Sequence, residues 1–253
     1  MPRACPSRIL VAALVLLTAS TSSLLAEDGS KSSKASVAPY ILVGFVGGFV
    51  HHDDIHHGPV ILAQRLRQNA RENTYIQVFE NRRRKEAYAT ILRLLDSDRD
   101  GVLSQHEKSQ AHIVLFGQSW GASAVVLLAR ELERVGVPVL LTVQVDSVAK
   151  PWQQDGIIPE NVAAAVNFYQ RQGLVHGRAE IRAADESKTQ ILGNFRFVYH
   201  GTAPCPGIPW VERTFVPGHI FSECDPNLWG QVESVVRQHM EPESHDLAVA
   251  PQP

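Results

Sequence analysis

Gly117-Gln118-Ser119-Trp120-Gly121 follows the apolar run His112 to Phe116 and precedes a stretch of helical character, Ala122-Ser123-Ala124-Val125-Val126-Leu127-Leu128-Ala129. A serine between two glycines at a strand–helix junction is held in a tight, strained turn, because neighbours without a Cβ let the two elements approach closely. Such a turn presents the Ser119 Oγ as a nucleophile at the carboxyl end of a sheet. It also aims the Trp120 N–H at an oxygen that gains negative charge during acyl transfer. A seryl hydroxyl is a weak nucleophile at neutral pH, so the chemistry further requires an imidazole to take its proton and a carboxylate to orient that imidazole. The plain structural alternative is a glycine-bounded turn that only packs.

A second chemical pattern spans Asp96 to Glu107, with acids at positions 1, 3 and 5, Gly101 at 6, an apolar residue at 8, serine at 9 and glutamate at 12. This is the spacing of an EF-hand-type calcium loop. Asp96, Asp98, Asp100, the Val102 carbonyl and a bidentate Glu107 would give a hard cation its oxygen ligands, so calcium is the expected cofactor. Only Lys108 to Ala111 separate the loop from the run that leads to Ser119. It therefore reads as a structural staple and not as a sensor that opens a groove; an Asp-rich turn without metal is the alternative. His51-His52-Asp53-Asp54-Ile55-His56-His57 offers imidazoles and carboxylates that zinc accepts, but no cysteine joins them, and a polar loop lining a pocket is the simpler reading. Asn81-Arg82-Arg83-Arg84-Lys85 reads as a solvated basic surface.

The elements that must position these groups alternate between short runs rich in Val and Ile and longer stretches of helical period, the pattern of a parallel sheet covered by helices. Strands are expected at Tyr40 to Phe45, Tyr75 to Phe79, His112 to Phe116, Val137 to Val145, Phe195 to His200 and Val211 to Val216. Helices are expected at Pro59 to Gln68, Lys85 to Leu95, Ala122 to Val135, Glu160 to Gln172 and Trp229 to Met240. The predicted class is α/β, a mostly parallel sheet with helices on both faces in a single domain over residues 39–240. Residues 147–194 are a possible lid, with Trp152, Ile157, Ile158, Phe168 and Tyr169 as its apolar underside.

With the strand–serine turn–helix order in place, the chain resembles the α/β-hydrolase superfamily of serine esterases, lipases and thioesterases over about residues 39–240. The resemblance implies an oxyanion-hole amide after an earlier strand, here among Gly47, Gly48 and Phe49, to act with Trp120; the family's usual His-Gly-Gly-Gly wording is absent. It implies the order serine, acid, histidine, which makes His219 the base, because Pro217-Gly218-His219-Ile220 follows the last expected strand. The commonest place for the acid, Gly201 to Trp210, holds no carboxylate. Asp146, at the end of the buried run Val137 to Val145, fills the other place the family uses, with Asp155 and Asp225 in reserve. Substrates implied are small-molecule esters or thioesters. A catalytically silent binding protein of the same fold, stabilised by calcium, is the rival reading.

Composition narrows the partners. Lys plus Arg number 24 against 26 Asp plus Glu, a net charge of −2, which offers no electrostatic footprint for nucleic acid. Met1 to Ala26 reads as a secretory signal peptide, with a basic start, the apolar core Ile9 to Leu17 and a small, polar end. That core is about half the roughly 20 apolar residues an integral membrane span needs, so no integral span is expected; an uncleaved anchor is the alternative. A periplasmic or secreted location follows. Residues 27–38 read as a linker and 241–253 as a tail. Removal of the signal would take Cys5 and leave Cys205 and Cys224 as one pair in a compartment that permits disulfides. A bridge there would stabilise the fold by roughly 3 kcal/mol and restrain the segment carrying His219; two free thiols are the alternative.

Overall fold

The apolar runs become the strands of a twisted sheet and the periodic stretches become its covering helices. The computed structural model describes residues 40–201 and 205–240. The expected signal peptide with Cys5, the linker and the tail lie outside the described residues. In chain order the elements are β1 (Tyr40–Val46), α1 (Gly58–Gln68), β2 (Thr74–Glu80), α2 (Arg84–Leu95), α3 (Gln105–Ser109), β3 (His112–Gln118), α4 (Trp120–Glu133) and β4 (Val139–Val145). They continue with β5 (Ile157–Ile158), β6 (Val162–Tyr169), β7 (Arg182–Ala183), β8 (Gln190–Arg196), α5 (Trp210–Phe215), α6 (Pro217–Cys224) and α7 (Pro226–Met240).

Six strands form one sheet in the order β2-β1-β3-β4-β6-β8, every neighbouring pair parallel, while β5 and β7 pair separately. Successive residues of a strand face opposite layers. Ile41, Val43 and Phe45 of β1 share a core with Ile91 of α2 and Val125 and Leu128 of α4. Leu42 and Val46 share the other with Leu62 and Leu66 of α1 and Trp229 and Val232 of α7. The expected α/β class with helices on both faces is what the structure shows. The chain runs outward from β1 to β2 and then crosses back to β3 on the other side of β1. The carboxyl ends of β1 and β3 therefore flank a topological switch point, where open parallel sheets leave a crevice for ligands.

Three expected elements are corrected. Glu160 to Gln172, read as a helix, contains strand β6, buried on both faces over most of its length; burial on both sides erases the alternation that marks a strand, and three consecutive alanines then imitate a helix. Phe195 to His200, read as a strand, begins only where β8 is ending. The ladder is set by β6, which pairs Gln190 to Arg196 through a register shift at Ala165/Val166. Val211 to Val216, read as a strand, is mostly helix α5, with Arg213 N–H donating to the Pro209 carbonyl (3.2 Å) and the Thr214 hydroxyl donating to that of Trp210 (2.8 Å). The possible lid at 147–194 supplies β6 and most of β8 to the main sheet, and of its expected apolar underside Ile158 and Phe168 are core residues while Trp152 is fully exposed.

Candidate active site

Ser119 follows β3 at φ 56° and ψ −124°, a backbone conformation that L residues adopt only under strain. The turn can form because the helix start presses on β1: a Cβ on Gly121 would fall 2.3 Å from the Phe45 carbonyl oxygen. The Ser119 N–H donates to the Val145 carbonyl (3.0 Å), which ties the turn to β4. Trp120 opens α4, so its N–H has no acceptor within the helix and faces the same edge.

His219 lies in the first turn of α6, not in a loop after a strand. Its Nε2 is 2.9 Å from the Ser119 Oγ and its Nδ1 is 2.6 Å from the Asp146 Oδ2. All three residues are buried, Asp146 completely. Burial alone would hold His219 neutral, but the hydrogen bond and charge of Asp146, with the charge of Glu223 added, outweigh it, so its pKa is raised above the ordinary imidazole value. Asp146 follows β4 at φ 44°. Its Oδ1 accepts from the N–H groups of Gly177 (2.6 Å) and Gln170 (3.2 Å), and its Oδ2 accepts from Gln170 Nε2 (2.8 Å) as well as from His219. Gly177 has to lack a side chain, since a Cβ there would sit 2.4 Å from Asp146 Oδ1. The reserves lie elsewhere. Asp155 accepts from Ser147 and Arg178, and Asp225 accepts from the Asn227 N–H.

Gly47, Gly48 and Phe49 follow β1 beside this turn. Gly47 O accepts from Val50 N–H (3.3 Å), and Gly48 is at φ 42°. The Gly48 carbonyl is held from the β2 side by Asn81 Nδ2 (2.6 Å), and Asn81 Oδ1 accepts from Lys150 Nζ (2.8 Å), which lies 4.7 Å over the Trp120 ring. Phe49, 86% exposed, meets Trp120 edge-on at 5.6 Å. On the other side, Gln118 Nε2 donates to Ser222 Oγ, and Ser222 Oγ donates to the His219 carbonyl (2.7 Å). Cys205 and Cys224 form a disulfide that brackets α5 and α6. Sequence reasoning missed Asn81, Gln118, Gln170, Gly177 and Ser222. The only signal for Gln170 and Asn81 was an amide just past the end of a strand-like run, directly after Tyr169 in one case and after Glu80 in the other.

In the calcium-type loop the structure brings Asp96, Asp98 and Glu107 together, their nearest carboxylate oxygens within 4.8 Å of one another; Asp100 is outside this group, its Oδ1 accepting from Val102 N–H. Asp96 Oδ2 accepts from the Gly101 N–H (3.0 Å) while its Oδ1 is buried with no hydrogen-bond partner, a donor set suited to a hard cation. Glu107 is engaged differently from the expectation. Its two oxygens accept from the backbone and hydroxyl groups of Ser104 and Ser97, which hold its pKa down to about 2, and with Ser104 it forms the capping box of α3. Of the histidine cluster, His51 and His52 converge on Glu80, His56 bonds Asp54 (2.9 Å), and His57 bonds buried Glu223 (3.0 Å). Among the described residues no helix is long and apolar enough to cross a membrane.

No protein-family model matches this chain, and no curated protein matches its sequence. Among solved structures it is similar to a cutinase-like protein from Cryptococcus sp., at 13% identity over 81% of this chain and 97% of that one, with a TM-score of 0.42. It is also similar to an acetyl xylan esterase in an iodinated complex, at 10% identity over 80% and 99% of the two chains, TM-score 0.37. A third neighbour is the RedJ-thioesterase from the prodiginine biosynthetic pathway in Streptomyces coelicolor, at 12% identity over 78% and 86%, TM-score 0.37.

Proposed function

We propose that this chain is an exported serine hydrolase that cleaves a carboxylic ester or thioester of a small molecule through an acyl-enzyme on Ser119. The observation that carries this reading is the continuous series Ser119 Oγ, His219 Nε2, His219 Nδ1 and Asp146 Oδ2, with separations of 2.9 and 2.6 Å across the imidazole. It stands at the switch-point edge of the sheet, where a substrate has access.

Ser119 Oγ attacks the carbonyl carbon as His219 Nε2 takes its proton, and the carbonyl π electrons move to oxygen. Asp146 accepts from Nδ1–H and stabilises the imidazolium, so that Nε2 is the nitrogen free to act as base. The oxyanion is received by the Trp120 N–H and by an amide of the loop after β1. The Phe49 N–H is favoured for that second donor: in a trans peptide the N–H points opposite to the carbonyl, and Asn81 draws the Gly48 carbonyl toward β2. Collapse of the adduct breaks the C–O or C–S bond, and His219 Nε2–H protonates the leaving group. Water, deprotonated by the same nitrogen, then attacks the acyl carbon, releases the acid and restores Ser119.

Export is supported by the disulfide. Calcium in the Asp96–Glu107 loop is proposed as a structural ion: Asp96, Asp98 and Glu107, with Asp100 and the Val102 carbonyl, would hold it, and it would fasten α2 to α3. The test of the activity is labelling by a fluorophosphonate. Reaction of the wild type together with silence of correctly folded Ser119→Ala is expected. A folded wild type that does not react would overturn the hydrolase reading in favour of a binding protein.

A further inference from the structure

The geometry points to a zinc-class metal site at the rim of the sheet, built from His51, His52 and Glu80, with Asp53 as the outer partner of His51. Glu80 ends β2 with its side chain only 3% exposed, and its Oε1 faces both imidazoles, 3.1 Å from His52 Nδ1 and 3.7 Å from His51 Nε2. Two ligand atoms on a tetrahedral zinc, each about 2.0–2.1 Å from the ion, lie about 3.3 Å apart. The two separations bracket that value, and ligand atoms of all three residues lie within 4.8 Å of one another.

The imidazole of His51 is already set for the task. Its Nδ1 is 2.6 Å from Asp53 Oδ1, which places the ring proton on that nitrogen and leaves Nε2 with its lone pair toward Glu80. A carboxylate behind a metal-binding histidine is the usual device that fixes tautomer and raises basicity. The ring centroids of His51 and His52 lie 4.7 Å apart. Two nitrogens and one carboxylate oxygen favour zinc over calcium or magnesium, and three protein ligands leave a fourth position toward solvent. Arg82 and Arg83 also approach Glu80, but at 3.9 and 3.7 Å, and Arg83 has a closer partner in Glu86 at 2.5 Å. Arg83 approaches the other carboxylate oxygen, Oε2, and Arg82 is farther from Oε1 than either imidazole nitrogen.

This site does not depend on what Ser119 does. It would fasten the chain just after Phe49 to the end of β2, beside the Asn81 side chain that holds Gly48.

Isothermal titration of the full chain with zinc tests the proposal, in buffer saturated with calcium so that the Asp96–Glu107 loop does not compete. Wild type should take up one equivalent. His51→Ala and His52→Ala, both at solvent-reaching positions where folding is safe, should each weaken binding more than about tenfold, and Asp53→Asn about tenfold. His56→Ala should bind like the wild type. Cobalt should give the visible absorption of a low-coordinate nitrogen–oxygen site, lost in His52→Ala. Absence of binding at roughly 100 µM zinc, a Kd far outside specific sites, would refute the site. So would equal affinity of wild type, His51→Ala and His52→Ala, or loss of binding in His56→Ala.

Discussion

Replacing Asp146 with asparagine tests the proposed mechanism most sharply, because the surroundings dictate how the amide must sit. Oδ1 of the carboxylate accepts from two backbone N–H groups, those of Gly177 and Gln170, which do not donate to an NH2. The asparagine oxygen is therefore forced into that place and its NH2 into the place of Oδ2, facing His219 Nδ1 and Gln170 Nε2. Gln170 does not turn over to relieve the clash at low cost, since its Oε1 accepts from Gln172 N–H and its Nε2 also donates to the Val175 carbonyl (3.0 Å). The NH2 then demands a lone pair on His219 Nδ1, which moves the ring proton to Nε2, the nitrogen that has to accept from Ser119. A wrong tautomer in such a triad lowers kcat by about 10⁴, or about 5.5 kcal/mol of barrier. The assay is kcat/KM for a short-chain activated ester across pH 5 to 9, with melting curves on the same samples. Loss of the Asp146 charge also removes the main support of the raised His219 pKa, so the acid limb of the residual activity should move to lower pH. Stability has the matching sign. A raised folded pKa contributes stability that is full below the unfolded imidazole value near 6.5 and is lost as pH rises through the folded value, so this contribution to the gap between wild type and variant should be larger at pH 5.5 than at pH 8.5. A fall in kcat of less than about tenfold with an unmoved acid limb would refute the tautomer argument.

Asn81→Ala frees the Gly48 carbonyl and with it the direction of the Phe49 N–H. If that amide is an oxyanion donor, kcat should fall by about 10²-fold or more with KM little changed, whereas a role limited to stability predicts a lower Tm and normal kcat. Calcium at about 100 times its Kd should stabilise the wild type by about 2.7 kcal/mol, a rise of about 5–11 °C for a chain of this size. Scanning calorimetry should show that rise vanish in Asp96→Asn, and no calcium shift in the wild type would remove the ion from the account.

The inner strands and their helices were legible because each is a run bounded by turn residues, with a period that matches its burial. Tyr40–Val46 and Val139–Val145 are buried almost throughout and mostly apolar, Thr142 and Gln144 being the polar exceptions, and Trp120–Glu133 keeps a buried face over its whole length. The turn at Ser119 was legible because the two glycines around it have a steric cause that is local. The second half of the sheet was not. Val162–Tyr169 is as buried as a central strand but carries alanines, and nothing in its own residues reports which neighbours will cover it. Val211 to Val216 has strand-favouring residues in Val211, Thr214, Phe215 and Val216, yet it lies between the bridged Cys205 and Cys224, next to α6, and does not join the sheet beyond β8. His219 was singled out from chain order although the element before it is helical. Gln170 and Asn81 were invisible because their meaning lies in partners from other strands: Gln170 acts on the end of β4, Asn81 on the end of β1.

Two of the few non-glycine residues at positive φ in the described chain, Ser119 at 56° and Asp146 at 44°, follow neighbouring strands at the same level, one step beyond the pair Gln118 and Val145. Continued as regular strand, both side chains would point into one or the other helical layer. The reversal of φ turns them out to the carboxyl edge, where His219 can touch both. Each such conformation costs of order 1–3 kcal/mol, and each is held by a bond to the next strand: Ser119 N–H to the Val145 carbonyl (3.0 Å), Asp146 N–H to that of Phe168 (2.7 Å). Glycine at either position would relieve the strain at once, but without the hydroxyl or the carboxylate. Packing alone supplies no reason to keep two strained side chains side by side at a sheet edge; joint contact with one imidazole does.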